Sequence, residues 1–551
     1  MTVHGLFARR TVLAFRTLLA VALLSAAPAS AADDAGPSIY QFIASHIDPA
    51  TGQLSPEGML LPDEPVARRY SRIRWVPGAL EGLGTRHMQW DGSEKASRVA
   101  RLLELIAAGT DTGSGNANAE ATLYELLRAD DIVTFYSDAL DFAAARTRDV
   151  EPKLHELARR LAMTSPDRGP VKFGIAMLGS MGDEHDVDVV RTLALHDEFG
   201  LYAAEALAEI APDRQAALYD MARKLRGWGR IEAVAKMVAT KDPVLRHWLL
   251  TDGFRNSINP QYLAFQCVSI ADLTGALDEA RHARTVDVPL LVGTADMLQA
   301  LVKPGPGPGF DNYPDAPEAA AAFLYLIQKR RDSVSFLLAA HALREYVSSH
   351  GTASNAAAEW TPEQLKDTAR LANDIIADPS WRQRVTAAIT ENRSDLTEAA
   401  DAAARLKIDT FDLHLRALAK QPANAQRWSL AFAAANPERV PRLITLAEKN
   451  FGTGPVGARA TDTRAHPPET LEAVLQGIAS YPGSGLRLVE SSLSDRDNRV
   501  RRAAVETLVR WGTSYLRDAS VRTALDDAAR TEADEALKAR MVALLNLGTL
   551  P

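Results

Sequence analysis

The chain has 551 residues, of which 46% are hydrophobic and 24% charged, with a single cysteine and a formal net charge of −8. The apolar share excludes a disordered chain, because nearly half of the residues can be buried. One cysteine excludes a disulfide scaffold and a cysteine-based zinc or iron–sulfur site. The length fits either roughly three or four domains of about 150 residues each or one long repeat array.

The N-terminus has the pattern of a cleaved export signal. Three arginines precede or flank an apolar run at residues 18–27, and the small residues 29–31 fit a cleavage site. We therefore predict a signal peptide over residues 1–31 and a periplasmic or secreted mature chain that begins at Ala32. An uncleaved membrane anchor is the alternative, but the apolar run is shorter than the ~20 residues that a span requires. No later segment is long and apolar enough to cross a membrane.

Removal of this signal makes the chain more acidic. The 62 Lys and Arg residues less the three in the signal leave 59 against 70 acidic residues, a formal charge of −11. General binding to nucleic acid or to anionic lipid needs a basic face, which this balance does not favour. We therefore expect no nucleic-acid partner.

Residues 32–92 form an irregular N-terminal segment that contains six prolines. The pattern predicts one short helix near residues 39–46, followed by extended or turn structure. A basic and aromatic run follows, made of Arg68, Arg69, Tyr70, Arg72, Arg74 and Trp75. One hypothesis is that these side chains bind an anion or make cation–π contacts. A solvated face that pairs with the acidic body is the favoured interpretation.

From residue 93 onward the sequence is typical of short α-helices. Ala, Leu, Arg and Glu dominate, and strand-like alternation is nearly absent. Two apolar helical stripes are Leu201, Ala204, Leu207, Ala208 and Ala211, and Val500, Ala503, Ala504, Leu508 and Trp511. Turn sequences that contain Asp, Asn or Pro separate the helices and cap them. Helical hairpins too small to bury their own apolar faces must stack, which predicts an all-α solenoid over residues 93–302 and 318–551.

One segment resembles a HEAT-type repeat. In SLSDRDNRVRRAAVETLVRWG the family's characteristic places are held by Asp495 or Asp497, Val500-Arg501, Ala503-Ala504 and Leu508. Segments that begin at Val171, Gly227 and Leu471 resemble the pattern as well. The resemblance is to HEAT and armadillo-like helical repeat proteins, including bacterial ones without an assigned activity. It implies stacked helical hairpins and carries no catalytic residues.

Two long loops interrupt the helices. Residues 303–317 contain five prolines and three glycines. They are predicted to be a hinge between two solenoid halves or a loop over the concave face, with a solvated connection as the favoured interpretation. Residues 451–468 contain a formal GxGxxG match at Gly452, Gly454 and Gly457. A nucleotide site needs this motif between a strand and a helix, whereas a helix precedes it here, so we interpret it as a loop.

The sequence lacks the usual catalytic signatures, with no HExxH, GxSxG, P-loop, CxxC or EF-hand pattern. In GDEHD, the residues Asp183, His185 and Asp186 are weak candidates for a metal site of a metal-assisted hydrolase. Helix capping explains the same residues without a ligand and is the favoured interpretation. We therefore expect no cofactor. Cys267 lies in an apolar run and is predicted to be a core residue.

The best candidate for a binding surface lies between residues 228 and 256. It comprises Trp228, Arg230, His247, Trp248, Arg255 and Asn256, residue types that interfaces favour. On the concave face of a solenoid these side chains would form a recognition patch. The alternative is that both tryptophans pack between repeats while Arg255 and Asn256 cap helix ends.

The sequence therefore favours an exported, non-enzymatic scaffold whose concave surface binds a protein or peptide. This hypothesis rests on fold analogy. The alternative is an enzyme of unknown reaction, with an active site between repeats that the loop at 303–317 covers. A deep pocket near that loop, lined by converging histidine and carboxylate side chains, would favour the enzyme.

Overall fold

A computed structural model describes residues 36–64, 75–108, 115–144, 151–350, 360–391, 396–451 and 467–547. Within these ranges the chain forms helices, turns and one isolated bridge between Ile47 and Leu54, and no β-strand. The prediction of an all-α protein is confirmed. The predicted signal peptide, the arginines at 68–74 and the glycine motif at 452–457 lie outside the described residues.

The described helices, in chain order, fall into two groups. The first eight are α1 (Ile39–Ser45), α2 (Ala79–His87), α3 (Ser93–Ala108), α4 (Gly115–Ala129), α5 (Tyr136–Ala144), α6 (Glu151–Thr164), α7 (Arg168–Met181) and α8 (Val187–Leu193). The others are α9 (Gly200–Ile210), α10 (Arg214–Lys224), α11 (Trp228–Ala235), α12 (Pro243–Trp248), α13 (Gln261–Ile270), α14 (Leu273–His282), α15 (Val288–Leu301), α16 (Ala316–Ile327), α17 (Ser335–His350), α18 (Pro362–Ile376), α19 (Ser380–Thr390), α20 (Leu396–Arg405), α21 (Phe411–Lys420), α22 (Ala425–Ala433), α23 (Val440–Phe451), α24 (Pro468–Ile478), α25 (Leu486–Ser492), α26 (Asn498–Trp511), α27 (Thr513–Leu516), α28 (Ala519–Thr531) and α29 (Glu535–Leu547).

These helices belong to two compact units. Of the described residues, 36–64 and 90–193 form the N-terminal unit, whereas 75–89 and 194–547 form the C-terminal unit. In the N-terminal unit α6 packs against α7, α3 against α4 and α5, and α1 against α6 and α8. Helix α1 confirms the short helix predicted near residues 39–46. Helix α2 is the part of the early sequence that belongs to the C-terminal unit.

Asp side chains start many of the helices, as the turn sequences predict. Asp213 accepts a hydrogen bond from the backbone of Ala216 at the start of α10. Asp242 accepts two bonds at the start of α12, and Pro243 follows at the first helical position. Asp497 accepts from the backbone of Arg499 at the start of α26. Each carboxylate satisfies N–H groups that have no partner within their own helix.

The C-terminal unit is an α-solenoid built from two layers of helices. Layer one is defined as α9, α11, α13, α15, α17, α20, α22, α24, α26 and α29, in which each helix packs against the next one named. Layer two contains α10, α14, α16, α18, α19, α21, α23, α25 and α28, and includes the stacked runs α14–α16–α18, α19–α21 and α25–α28. Hairpin pairs such as α17 with α18 and α28 with α29 join the layers. This arrangement confirms the prediction of stacked short hairpins, because each hairpin buries its apolar face on its neighbours.

Small and aliphatic side chains fill the space between the stacked helices. Val500, Ala503, Ala504, Leu508 and Trp511 are all buried, which confirms the stripe predicted for α26. In α9, Leu201, Ala204, Leu207 and Ala208 are buried as well. Helices α9 and α11 meet so closely that a Cβ atom on Gly200 would lie 2.5 Å from the Cα of Gly229. Cys267 is fully buried, as predicted, and burial raises the pKa of its thiol.

The loop at residues 303–317 is tethered to the C-terminal unit at several points. It contains a 3-10 turn at Phe310–Asn312 before α16 begins. The Gln261 side-chain amide donates to the carbonyls of Lys303 and Pro304, both at 3.1 Å. Phe310 is buried, with its ring centroid 5.2 Å from that of Tyr346, whose hydroxyl donates to Asp311. A hinge role for this loop stays a prediction.

Candidate functional site

The six predicted binding residues lie on α11, on α12 and in the turns that follow α12 in the C-terminal unit. Helix α12 continues into a π-helical turn at Leu249–Gly253, and π-turns are frequent at functional sites. Trp228 and Arg230 are buried, whereas His247 is half-exposed. The structure therefore divides the predicted residues between an interior network and a surface.

Arg230 is the centre of the interior network. Its side chain is 0% exposed, and its Nε donates to the carbonyls of Ala222 at 3.0 Å and Leu225 at 2.8 Å. Its Nη1 donates to the carbonyls of Asp252 at 2.9 Å and Arg255 at 2.6 Å, and pairs with the Asp252 carboxylate at 3.2 Å. Burial opposes ionisation of Asp252, but the guanidinium groups of Arg230 and Arg226 outweigh it and lower its pKa. Arg230 thus joins α10, α11 and the π-turn.

Trp228 holds helix α2 against layer one. A Cβ atom on Gly82 of α2 would lie 2.0 Å from the Trp228 ring, so only glycine allows this approach. Arg86 binds Glu232 of α11 with both guanidinium nitrogens, at 2.5 and 3.1 Å, and lies 5.9 Å from the Trp228 ring centroid. The Tyr262 ring of α13 lies 5.1 Å from that of Trp228. These contacts match the interpretation that Trp228 packs between elements.

Trp248 and His247 lie nearer to the surface. The Trp248 ring makes an edge contact with Tyr219 at 5.0 Å and lies 5.5 Å from the Arg230 guanidinium. His247 Nδ1 lies 3.3 Å from an Asp287 carboxylate oxygen. Of these two residues, only His247 exposes about half of its side chain to a partner.

Arg255 begins a polar row that crosses layer one. Its guanidinium pairs with Asp296 of α15. Ser335 at the start of α17 donates to Glu398 of α20 at 2.6 Å and also acts on Asp296. Burial raises the pKa of Asp296, although Arg255 and Ser335 oppose this shift. The row links the π-turn with three layer-one helices, and the sequence interpretation missed three of its members.

Asn256 shapes the turn that follows the π-helix. Its amide nitrogen donates to the carbonyls of Phe254 and Asn259, both at 3.1 Å. Its side-chain oxygen accepts from the backbone of Ile258 at 2.9 Å and of Asn259 at 2.7 Å. Both ends of the side chain are therefore used inside the protein, as the capping interpretation predicts.

The acidic and histidine cluster lies in the N-terminal unit. Asp183 accepts from the backbone of His185 at 2.8 Å, and Asp186 accepts from the backbone of Asp183 at 3.1 Å, which forms a capping box. Asp186 is fully buried and binds His155 at 2.6 Å and also Arg159. Both carboxylate oxygens of Asp186 are thus engaged. Within the part of the chain that the structure describes, no three His, Cys, Asp or Glu side chains form a group that could hold a metal ion.

Two open surface depressions are visible. One, of about 750 Å³, lies between α28 and α29 and is lined in part by Arg522, Lys538 and Val542. The other, of about 550 Å³, lies on α3 and α4 in the N-terminal unit. Neither is lined by a residue of the loop at 303–317 or combines histidine with carboxylates. None of the described helices has the length and apolarity to cross a membrane.

Comparisons with known proteins add little to this description. No family model and no curated protein matches the chain. A search of solved structures finds a circular tandem repeat protein with novel repeat topology and enhanced subunit contact surfaces. The two are 14% identical, and the match covers 82% of this chain and 94% of the other with a TM-score of 0.12. A TM-score this low carries no argument, so the fold description rests on the helix packing itself.

Proposed function

We propose that the chain is an exported, HEAT-type scaffold without enzymatic activity, and that it binds a protein partner on the solvent face of layer one. The observation that carries this proposal is the unbroken packing of layer one from α9 to α29. Solenoids use such extended surfaces for binding. The enzyme alternative has no observation in its favour among the described residues, where no group of metal-ligating side chains converges.

The solvent face of layer one carries polar side chains that pair from one helix to the next. Arg405 of α20 binds Glu345 of α17 at 2.6 Å, and both side chains are substantially exposed. Gln426 of α22 donates to the hydroxyl of Thr397 of α20 at 2.8 Å. Exposed pairs of this kind stabilise a protein little. Their groups are therefore available to exchange partners when another protein binds.

Site-specific crosslinking tests this proposal. A photoreactive amino acid replaces Glu345 or Gln476 on layer one and, as matched controls, Tyr325 or Asp374 on layer two, all of them exposed. In the source cells we expect the same adduct from both layer-one positions and none from the layer-two positions. Equal adducts from both layers, or none from layer one, would contradict the proposal.

Export is tested separately by N-terminal sequencing of the protein isolated from the source cells. A sequence that begins at Ala32 is expected, because the small residues 29–31 fit a signal-peptidase site. A chain that retains residues 1–31 would overturn this part of the proposal.

A further inference from the structure

Layer one already holds one helix of this chain on its surface. Helix α11 is enclosed on three sides by α9, α10 and α13, and α2 packs against it as well. The residues of α11 from Trp228 to Val234 are all buried as a result. The backbone N–H of Gly78, which precedes α2, donates to Glu198 at 3.4 Å. Helix α2 therefore shows in cis how a helix lies on layer one.

The chemistry of this contact is simple. A glycine lets the helix approach a flat aromatic ring, and one arginine reaches a carboxylate on the layer. Glu232 is almost fully buried in the contact, so the bidentate pair with Arg86 is shielded from solvent. A paired arginine and carboxylate in this geometry is stronger than an exposed ion pair. Layer one thus recognises a basic residue on a helix whose contacting face is small.

The layer continues beyond α13 with an acidic surface. Helices α15, α17, α20, α22 and α24 together carry six carboxylates and three arginines, and one of these arginines, Arg427, is buried. The carboxylates are Asp296, Glu345, Glu398, Asp401, Glu469 and Glu472. By contrast, α19, α21 and α23 of layer two carry six basic and two acidic residues. The two layers therefore favour partners of opposite charge.

A shallow apolar and polar strip runs along α17 within this acidic surface. Leu338 and Ala342 are 5% and 9% exposed, and one further turn along lies Glu345, which is about half-exposed. His341 lies between them and is 7% exposed, and neither of its ring nitrogens has a hydrogen-bond partner. Glu345 and Arg405 are among the charged groups that act on it. A buried imidazole without a partner is a group that a docked side chain can satisfy.

We propose that the solvent face of layer one from α15 to α24 docks a helix of a partner protein that carries lysine or arginine on one face. This inference rests on the proposed scaffold function and names the chemistry of the partner. The docked helix lies on the layer as α2 does, with small or apolar side chains over Leu338 and Ala342. Its basic side chains pair with the carboxylates of α15, α17, α20 and α24.

Binding of synthetic peptides to the full chain tests this inference. The probe is a fluorescent amphipathic helix of about 20 residues, with Lys and Arg on one face and Ala and Leu on the other. One comparison peptide has Glu in place of Lys and Arg, and another has the basic composition with two internal prolines that prevent a helix. Fluorescence anisotropy gives the Kd of each peptide at low and at high salt.

The decisive variants remove equal charge from the two layers. Glu345→Gln, Asp401→Asn and Glu472→Gln are combined on layer one, and Asp374→Asn, Asp412→Asn and Glu448→Gln on layer two as the matched control. We expect the layer-one variant to weaken binding of the basic helix about tenfold, the control less than about twofold, and salt to weaken binding further. The acidic and the proline-containing peptides should bind at least about tenfold more weakly.

Several outcomes would overturn the inference. Equal losses in the two triple variants would show that charge alone attracts the peptide. Equal binding of the proline-containing peptide would show that no helix is recognised. If crosslinks form at layer one but the basic helix does not bind, the partner has another chemistry and the scaffold function stands. If neither crosslinks nor peptide binding is observed, both proposals fail.

Discussion

At the scale of single residues, Asp197 carries a charge that the fold destabilises. It accepts a hydrogen bond from the backbone of Gly229 at 2.7 Å and so caps α11 from a neighbouring turn. Burial, together with the nearby Glu198, raises its pKa to about 6 in spite of the Gly229 N–H and Arg230. Because the folded state then holds a proton more tightly than the unfolded chain, stability is present below pH 4 and is lost as the pH rises towards 6.

We expect Asp197→Asn to remove this pH dependence, since an amide oxygen still accepts from Gly229 but does not titrate. The free energy of unfolding of the wild type, relative to the variant, should fall by about 1–2 kcal/mol between pH 4 and pH 6.5 and stay constant above that range. Urea unfolding followed by circular dichroism at several pH values measures this difference. A difference that does not change with pH would show that Asp197 ionises normally in the folded protein.

At the scale of elements, the tether of the loop at 303–317 depends on the buried ring of Phe310. Phe310→Ala should lower the free energy of unfolding by about 3–5 kcal/mol, because a fully buried ring leaves a cavity against Tyr346 and Trp360. Pro306→Ala in the same loop is exposed and should change it by less than about 0.5 kcal/mol. Thermal unfolding compares the two. A similar small effect of both substitutions would mean that the loop is not held by its aromatic anchor.

The elements also show how far the sequence predicts this structure. Helix stripes and caps depend on residues a few positions apart, so the stripe of α26 and the cap at Asp497 could be predicted. The polar row could not, because Arg255 and Asp296 are 41 residues apart and Ser335 and Glu398 are 63 apart. The seat of α2 joins residues 146 positions apart. For the same reason Trp228 and Arg230 looked like surface residues, since nothing local announces the helices that cover them.

At the scale of the whole molecule, the C-terminal unit should unfold in part rather than as one block. Each helix of layer one packs mainly on its neighbours in the stack, so a defect weakens nearby repeats first. Trp428 of α22 is fully buried and contacts Phe451 at 5.8 Å between ring centroids. Trp428→Ala should therefore speed amide hydrogen exchange in α20 to α24 by about tenfold or more while α9 and α11 keep their protection. Mass spectrometry of proteolytic fragments measures this, with the exposed Ser429→Ala as the control that leaves exchange unchanged. Faster exchange spread evenly over residues 194–547 would show instead that the stack behaves as a single cooperative unit.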